Sequence, residues 1–368
     1  RPPRPAGPAA PAAPQAVTPA PPPIDAARPI PVGLLLPLSS PDARTQALAA
    51  DLEAAARLAA AESRVALTVH DDGGDPAGAA AAARRATSAG AAILLGPLFS
   101  AQVAAVRPVA EATGVPVISF SSDAAAGAPP VWVMGELPAV EADRIVAYAA
   151  SRGLGSLALV RPNTDYGALV DAAVHEAARR HGARVVATLP YDRSFDGVQA
   201  AIGEGAGRIR DGGADAVVIA DGGDALRAVA AFLAFNDVMQ PRVRFLGLGQ
   251  WDSRATQAES VLHGGWFAAA DPDVGADFRA RFREATGREP NPLAALGYDA
   301  VNAVAAMAGR GAGGFDAGAI ASPRGFDGAR GAFRLTPDGA NRRALAVLQV
   351  GADGFRVLDP APSLAPGS

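Results

Sequence analysis

Short, wholly apolar runs alternate along this chain with longer segments whose apolar residues recur every third or fourth position. Such alternation predicts parallel strands, buried on both faces, joined by crossover helices. A strand over Ile30 to Leu38 opens the pattern, followed by a helix over Asp42 to Ala61 with Leu48, Leu52 and Leu58 on one side, and a strand over Val65 to His70. The run Ala91 to Leu95 stops at Gly96-Pro97, Val103, Val106, Val109 and Ala110 then recur at helical spacing, and Val115 to Phe120 is apolar again. That unit of about thirty residues predicts a right-handed crossover. A short strand over Val131 to Met134 and a helix over Pro138 to Arg152 lead to a second series. Its expected strands are Ser156 to Val160, Ala183 to Leu189, Asp215 to Ala220, Val243 to Leu248 and Val261 to Ala268, with helices over Asp165 to His181, Phe195 to Arg210 and Ala225 to Phe235. Helices over Val274 to Thr286 and Pro292 to Gly309 follow, then a Gly-rich turn and strand within Phe326 to Leu335, and a hairpin of Arg343 to Val350 with Gly354 to Leu358.

Two such series predict an α/β protein made of two doubly wound parallel-sheet lobes with a cleft between them. The expected division is 32–138 plus 268–325 for the first lobe and 139–267 plus 326–358 for the second. The leader, residues 1–31, is mostly Pro and Ala and reads as a disordered linker, and 359–368 as a disordered tail.

Composition mainly removes possibilities. A formal charge of −4 across 368 residues suggests neither nucleic acid nor an anionic membrane as partner. There is no Cys and no Lys, which excludes disulfides, thiolate chemistry and a phosphate-binding loop that ends in Lys. The four His are scattered, so no metal site is expected. The acidic turn Asp71-Asp72-Gly73-Gly74-Asp75-Pro76 lacks the closing glutamate of a calcium loop, and Asp75 followed by Pro76 reads as the start of a helix. No nucleophile elbow or dinucleotide fingerprint is present, and no cofactor is implied. Binding, not catalysis, is the expected mode of action.

Ligands of open parallel sheets lie beyond the carboxyl ends of the strands. That rule selects Leu98, Phe99 and Ser100 after one strand, and Ser119, Ser121, Ser122 and Asp123 after the next. The free N–H groups at the helix start near Phe99 and Ser100 suit an anion. Both turns read equally as ligand contacts or as tight turns with capping serines. In the second series Asp221 follows its strand, Gln250 and Trp251 lie at a strand end, and Tyr298 and Asp299 open a helix that could reach the cleft.

The segments VGLLLPL (32–38), DDGGDPAGA (71–79), GPLFSAQVAAVRPVAEATGVPVIS (96–119), NTDYG (163–167), DAVVIADG (215–222) and LGYDAV (296–301) together resemble the type I periplasmic-binding-protein fold of receptors for leucine, isoleucine and valine. The resemblance runs from Val32 to about Leu358. It implies a hydroxyl set matched by Ser100 and Ser122 and a tyrosine matched by Tyr166. Asp123 stands where a threonine is usual, and Gln250 and Trp251 where an acid is. The ending RGFDGARGAFRLTPDGANRRALAVLQVGADGFRVL (324–358), with LLLPL, ILLGPL and YDAV, is also similar to the carboxy-terminal domain of lipoproteins that activate penicillin-binding proteins. On that likeness the favoured expectation is an activator of a penicillin-binding protein, a peptidoglycan synthase. It would lie in the periplasm, tethered to the outer membrane through a lipid-bearing Cys upstream of Arg1. The alternative is the substrate-binding protein of an ABC permease, with a small amino-acid-like ligand.

Overall fold

The computed structural model describes residues 19–25, 27–311 and 313–364. In the first lobe β1 (Ile30–Leu36), β2 (Val65–Asp71), β3 (Ile93–Leu95), β4 (Val117–Ser119) and β5 (Val131–Val133) pair in parallel, in the order β2-β1-β3-β4-β5. Helices α1 (Ala43–Ala61), α2 (Pro76–Ser88) and α3 (Ser100–Thr113) connect them. Two of these helices start where an Asp can satisfy an orphan N–H: the Asp42 side chain accepts from Thr45 N–H and the Asp75 side chain from Gly78 N–H, with Pro76 at the first helical position.

The second lobe contains α4 (Pro138–Ser151), β6 (Ser156–Pro162), α5 (Asp165–Arg180), β7 (Arg184–Tyr191), α6 (Phe195–Asp211), β8 (Ala216–Ile219), α7 (Gly223–Phe235), β9 (Arg244–Gly247), α8 (Arg254–Ala258) and β10 (Trp266–Ala269). The chain then supplies α9 (Ala276–Thr286), α10 (Ala295–Gly309) and α11 (Ala317–Ile320), an antiparallel pair β11 (Phe333–Leu335) and β12 (Asn341–Arg343), and a closing hairpin β13 (Ala346–Gly351) and β14 (Gly354–Asp359). The hairpin extends the second sheet antiparallel to β10, giving β14-β13-β10-β9-β8-β6-β7. This is the two-lobed architecture that the apolar pattern predicts.

Several expected boundaries move. The linker expected over 1–31 lies partly outside the described residues, but Ile24 N–H donates to Gly313 O at 3.0 Å and Ile24 packs on the first core, so this part is held. At the other end Asp359 belongs to β14 and ion-pairs with Arg144 at 2.8 Å. Ala268 and Ala269 belong to the second sheet, whereas Phe326, Phe333 and Leu335 pack in the first lobe's core. The assignment of 326–335 to the second lobe is thereby corrected: three large apolar side chains find their burial in the first lobe before the chain returns. The strand expected over Val261 to Ala268 begins only at Trp266, because Ser260–Leu262 forms a 3₁₀ turn.

Among the described residues the chain crosses between the lobes three times, at 134–137, 270–275 and 344–345. The first and third are bound to each other. Asn341 donates from Nδ2 to Val133 O at 3.0 Å and Gly135 O at 2.9 Å, and Arg343 donates to Met134 O at 3.4 Å. Arg144 donates from Nε to Leu345 O at 2.8 Å. In the first lobe α1 and α10 approach closely; a Cβ on Gly297 would lie 2.4 Å from Leu52 O, so only glycine fits there.

In the acidic turn Asp72 is fully buried. Its Oδ1 accepts from Gly74 N–H at 2.9 Å and Gln102 Nε2 at 2.8 Å, while its Oδ2 has no partner. Burial, reinforced by the charges of Asp71 and Asp75, pushes this carboxyl up to about 6. A raised folded value means that its contribution to stability is complete below the unfolded value, near 3.8, and is lost as pH rises through about 6. Asp72→Asn is therefore expected to gain melting temperature relative to the wild type between pH 4 and pH 7. A difference that stays flat over that range would show that the carboxyl is not the cause.

Candidate functional site

Between the lobes lies a cavity of about 230 Å³. One side of it is apolar and comes mostly from two helices that pack together: Leu48 and Leu52 of α1, and Leu293 and Leu296 at the start of α10. Leu98, Phe99 and Phe120, at the carboxyl ends of β3 and β4, complete that side. The opposite wall is polar and is built from Ser122, Glu136, Glu141, Tyr166 and Gln250.

The residues expected from sequence separate into two groups. Leu98, Phe99, Ser122, Tyr166 and Gln250 line the cavity. Phe99 is exposed at 41% and is positioned by its backbone, whose N–H donates to Gln102 Oε1 at 3.1 Å; Gln102 is in turn held by Asp72. Part of the helix start expected to receive an anion is thus already satisfied. Ser100 begins α3 but is exposed and does not line the cavity.

The remaining expected residues are engaged elsewhere. Ser119 donates from Oγ to Pro97 O at 2.8 Å and accepts from Ser121 N–H at 3.0 Å. Ser121 Oγ accepts from Asp123 N–H at 3.1 Å, and Asp123 caps a 3₁₀ turn by accepting from Ala125 N–H at 2.9 Å. These three act as turn-formers, the reading that the sequence left open beside ligand contact. Trp251 is fully buried in the second core and donates from Nε1 to Ile219 O at 3.2 Å. A Cβ on Gly247 would meet its ring at 2.1 Å, so the indole fills a space that glycine leaves. Asp221 is buried under the wall, accepting from the Tyr191 hydroxyl and from Arg193 at 2.7 Å. Asp299 accepts Ala329 N–H at 2.6 Å and lies 3.7 Å from Arg343, while the Tyr298 hydroxyl accepts from Arg281 at 2.5 Å; neither lines the cavity.

Glu136 and Glu141 were not expected. Glu136 follows β5 at the first crossing, and Glu141 lies in the first turn of α4, 4% exposed. A Cβ on Gly249 would lie 2.6 Å from Glu141 Oε1 and 2.9 Å from Glu136 Oε2, so the two carboxyl groups converge over this glycine. Burial first, and the neighbouring Glu136 charge second, hold the Glu141 carboxyl well above its usual range, against a hydrogen bond from Gly249 N–H. Burial and the charges of Glu141, Glu136 and Asp221 likewise push the Tyr166 phenol up, so it stays protonated. Behind Glu136 stands Arg330, buried and bonded to Glu136 through Nε, with Asp252 at 3.5 Å. Burial opposes the Arg330 charge, but these carboxylates outweigh it and keep the guanidinium protonated. For Glu136 the signal available in the sequence was an acid just beyond a strand's carboxyl end, the same rule that selected the serines; Glu141, inside α4, carried none.

A family model described as "Periplasmic binding protein" matches residues 29–355. Among curated proteins none matches. Similar solved structures include an ABC transporter substrate-binding protein from Sphaerobacter thermophilus (18% identity, TM-score 0.76, covering 92% of this chain and 99% of that one). Others are a leucine-binding protein from Thermotoga maritima (19%, 0.69, 90% and 98%) and a solute-binding protein of an ABC transporter from Rhodopseudomonas palustris in complex with benzoate (19%, 0.69, 91% and 97%). At these identities the likeness establishes the fold, with its cleft between two lobes. With nearly the whole described chain matched by the family model, this protein belongs to the periplasmic binding proteins.

Proposed function

We propose that the chain is a non-catalytic solute-binding protein that presents a small, largely apolar molecule to an ABC permease outside the cytoplasm. The observation that carries this reading is the cavity, with an apolar side in one lobe and a polar wall completed by Tyr166 and Gln250 of the other. A ligand touching both lobes stabilises their closed arrangement by its differential affinity for it. The solved relatives described above are substrate-binding proteins, and the family implies an extracytoplasmic location.

The penicillin-binding-protein activator, favoured on sequence alone, has no such support. Its strongest motif, the ending from 324 to 358, contributes Arg330, Asn341 and Arg343 to the crossings and the hairpin to the second sheet, so its residues have structural work that needs no partner. Outer-membrane tethering rested on the same likeness.

Thermal unfolding against a panel of small apolar acids, amino acids, alcohols and amines tests the proposal. A ligand at a hundred times its dissociation constant is expected to add about 2.7 kcal/mol. Gln250→Ala, which changes an exposed side chain, should reduce that gain while leaving the ligand-free melting temperature in place. A panel without any shift would overturn the solute-binding reading.

A further inference from the structure

We propose, building on the solute-binding reading, that the cavity takes an apolar amine without a carboxylate, its ammonium seated between Glu136 and Glu141. Three observations lead there. Among the described residues no Arg or His lines the cavity, and the buried cations beyond its wall are committed: Arg330 is bonded to Glu136 and close to Asp252, and Arg343 lies 3.7 Å from Asp299. A ligand carboxylate would therefore face two carboxyl groups and a phenol without an unpaired cation, an arrangement that costs several kcal/mol. Part of the helix start that could have received an anion is already in internal use, Phe99 N–H being taken by Gln102.

The second observation is the convergence of the two carboxyl groups over Gly249, which places their oxygens together at one point of the cavity's polar wall. The third is charge balance. The charged and titratable groups around this point are Glu136, Glu141, Tyr166, Asp221, Asp252, Arg330 and Arg343, the last lying 3.7 Å from Asp299. Arg330 neutralises Glu136, while burial and the Glu136 charge raise the Glu141 carboxyl and favour its protonated form. An ammonium that displaces a proton from Glu141 leaves the net charge of the buried site unchanged. The rest of the ligand meets Leu48, Leu52, Leu293 and Leu296, which fit a branched or ring-shaped hydrocarbon body.

Isothermal titration of the whole protein with 3-methylbutylamine, leucine, isovalerate and 3-methylbutanol, in buffers of different ionisation enthalpy, tests this. The four probes share one hydrocarbon body and differ only in the polar end. The expected result is that the amine binds at least about tenfold more tightly than leucine or isovalerate, as for gain of one charge-assisted hydrogen bond. It should release close to one proton per ligand near neutral pH, with affinity falling as the pH is lowered. In Glu141→Gln, which keeps an acceptor for Gly249 N–H but cannot ionise, amine affinity should drop by about tenfold to a hundredfold and proton release should vanish, while the alcohol is unaffected. Leucine or isovalerate binding as tightly as the amine would overturn this inference and leave the solute-binding reading standing. Amine binding without proton release in the wild type would also overturn it, whether or not the variant folds. Binding by none of the four, together with a silent thermal panel, would sink both.

Discussion

Arg330→Met is expected to destabilise the protein by about 3–5 kcal/mol, the usual cost of removing one partner of a buried charge pair. Arg330 is 5% exposed, bonds Glu136, approaches Asp252 at 3.5 Å, and donates to Pro292 O at 3.2 Å. Methionine fills much of the same volume, so the loss reports mainly the carboxylates left in a dry environment. The pH dependence separates this from a packing defect. Burial already holds the Asp252 carboxyl above its usual range with Arg330 pulling it down; without the guanidinium it rises further. Groups with raised folded values lose their stabilising contribution as pH increases, so the deficit against the wild type should be larger at pH 7.5 than at pH 5. Urea unfolding at the two pH values measures both quantities. A loss below about 1 kcal/mol at pH 7.5 would mean that the carboxylates find other partners or solvent.

Trp251→Ala should cost about 3–5 kcal/mol, as for other large aromatic truncations in cores. The indole is fully buried, lies 6.2 Å from the Phe267 ring centre and leaves Ile219 O without its donor when removed. Its neighbour Gln250→Ala, exposed at the cavity, should stay within about 0.5 kcal/mol of the wild type. Guanidinium unfolding of the two variants decides between a packing tryptophan and one that stacks on ligand. A Trp251→Ala protein of near-normal stability with abolished binding would restore the ligand-stacking role.

The contrast between Trp251 and Gln250 shows what the chain revealed by itself. Strands such as Ala216–Ile219 are legible because parallel strands covered on both faces need unbroken apolar runs, and helix starts at Asp42 and Asp75 because a short acceptor side chain precedes each. The strand-end rule selected Phe99, Ser122 and Gln250, and the family resemblance Tyr166, all of which line the cavity. It also selected Ser119, Ser121 and Asp123, whose polar atoms are satisfied within two residues or across a turn, a matter of backbone path that residue type does not encode. Glu136 and Arg330 escaped notice for the opposite reason. They lie 194 positions apart, and their pairing exists only once the chain has left the first lobe, returned to it and started to leave again. The apolar side was half visible, since Leu48 and Leu52 were placed on one face of a helix, but not that Leu293 and Leu296 would close against them.

The bonds between the first and third crossings bear on how the lobes can move. Loose strands spanning a gap bend independently and slide past one another, allowing rotation about many axes. Here Asn341 clasps the carbonyls of Val133 and Gly135, Arg343 reaches Met134 O, and Arg330 grips Glu136. Fastened in this way, the two spans behave as a bonded laminate: flexing together remains possible, while shear between them, and with it twisting of one lobe over the other, meets much greater stiffness. Any opening of the lobes is therefore expected to run mainly as a swing in one plane, with Phe99 on one rim and Gln250 on the other keeping their register.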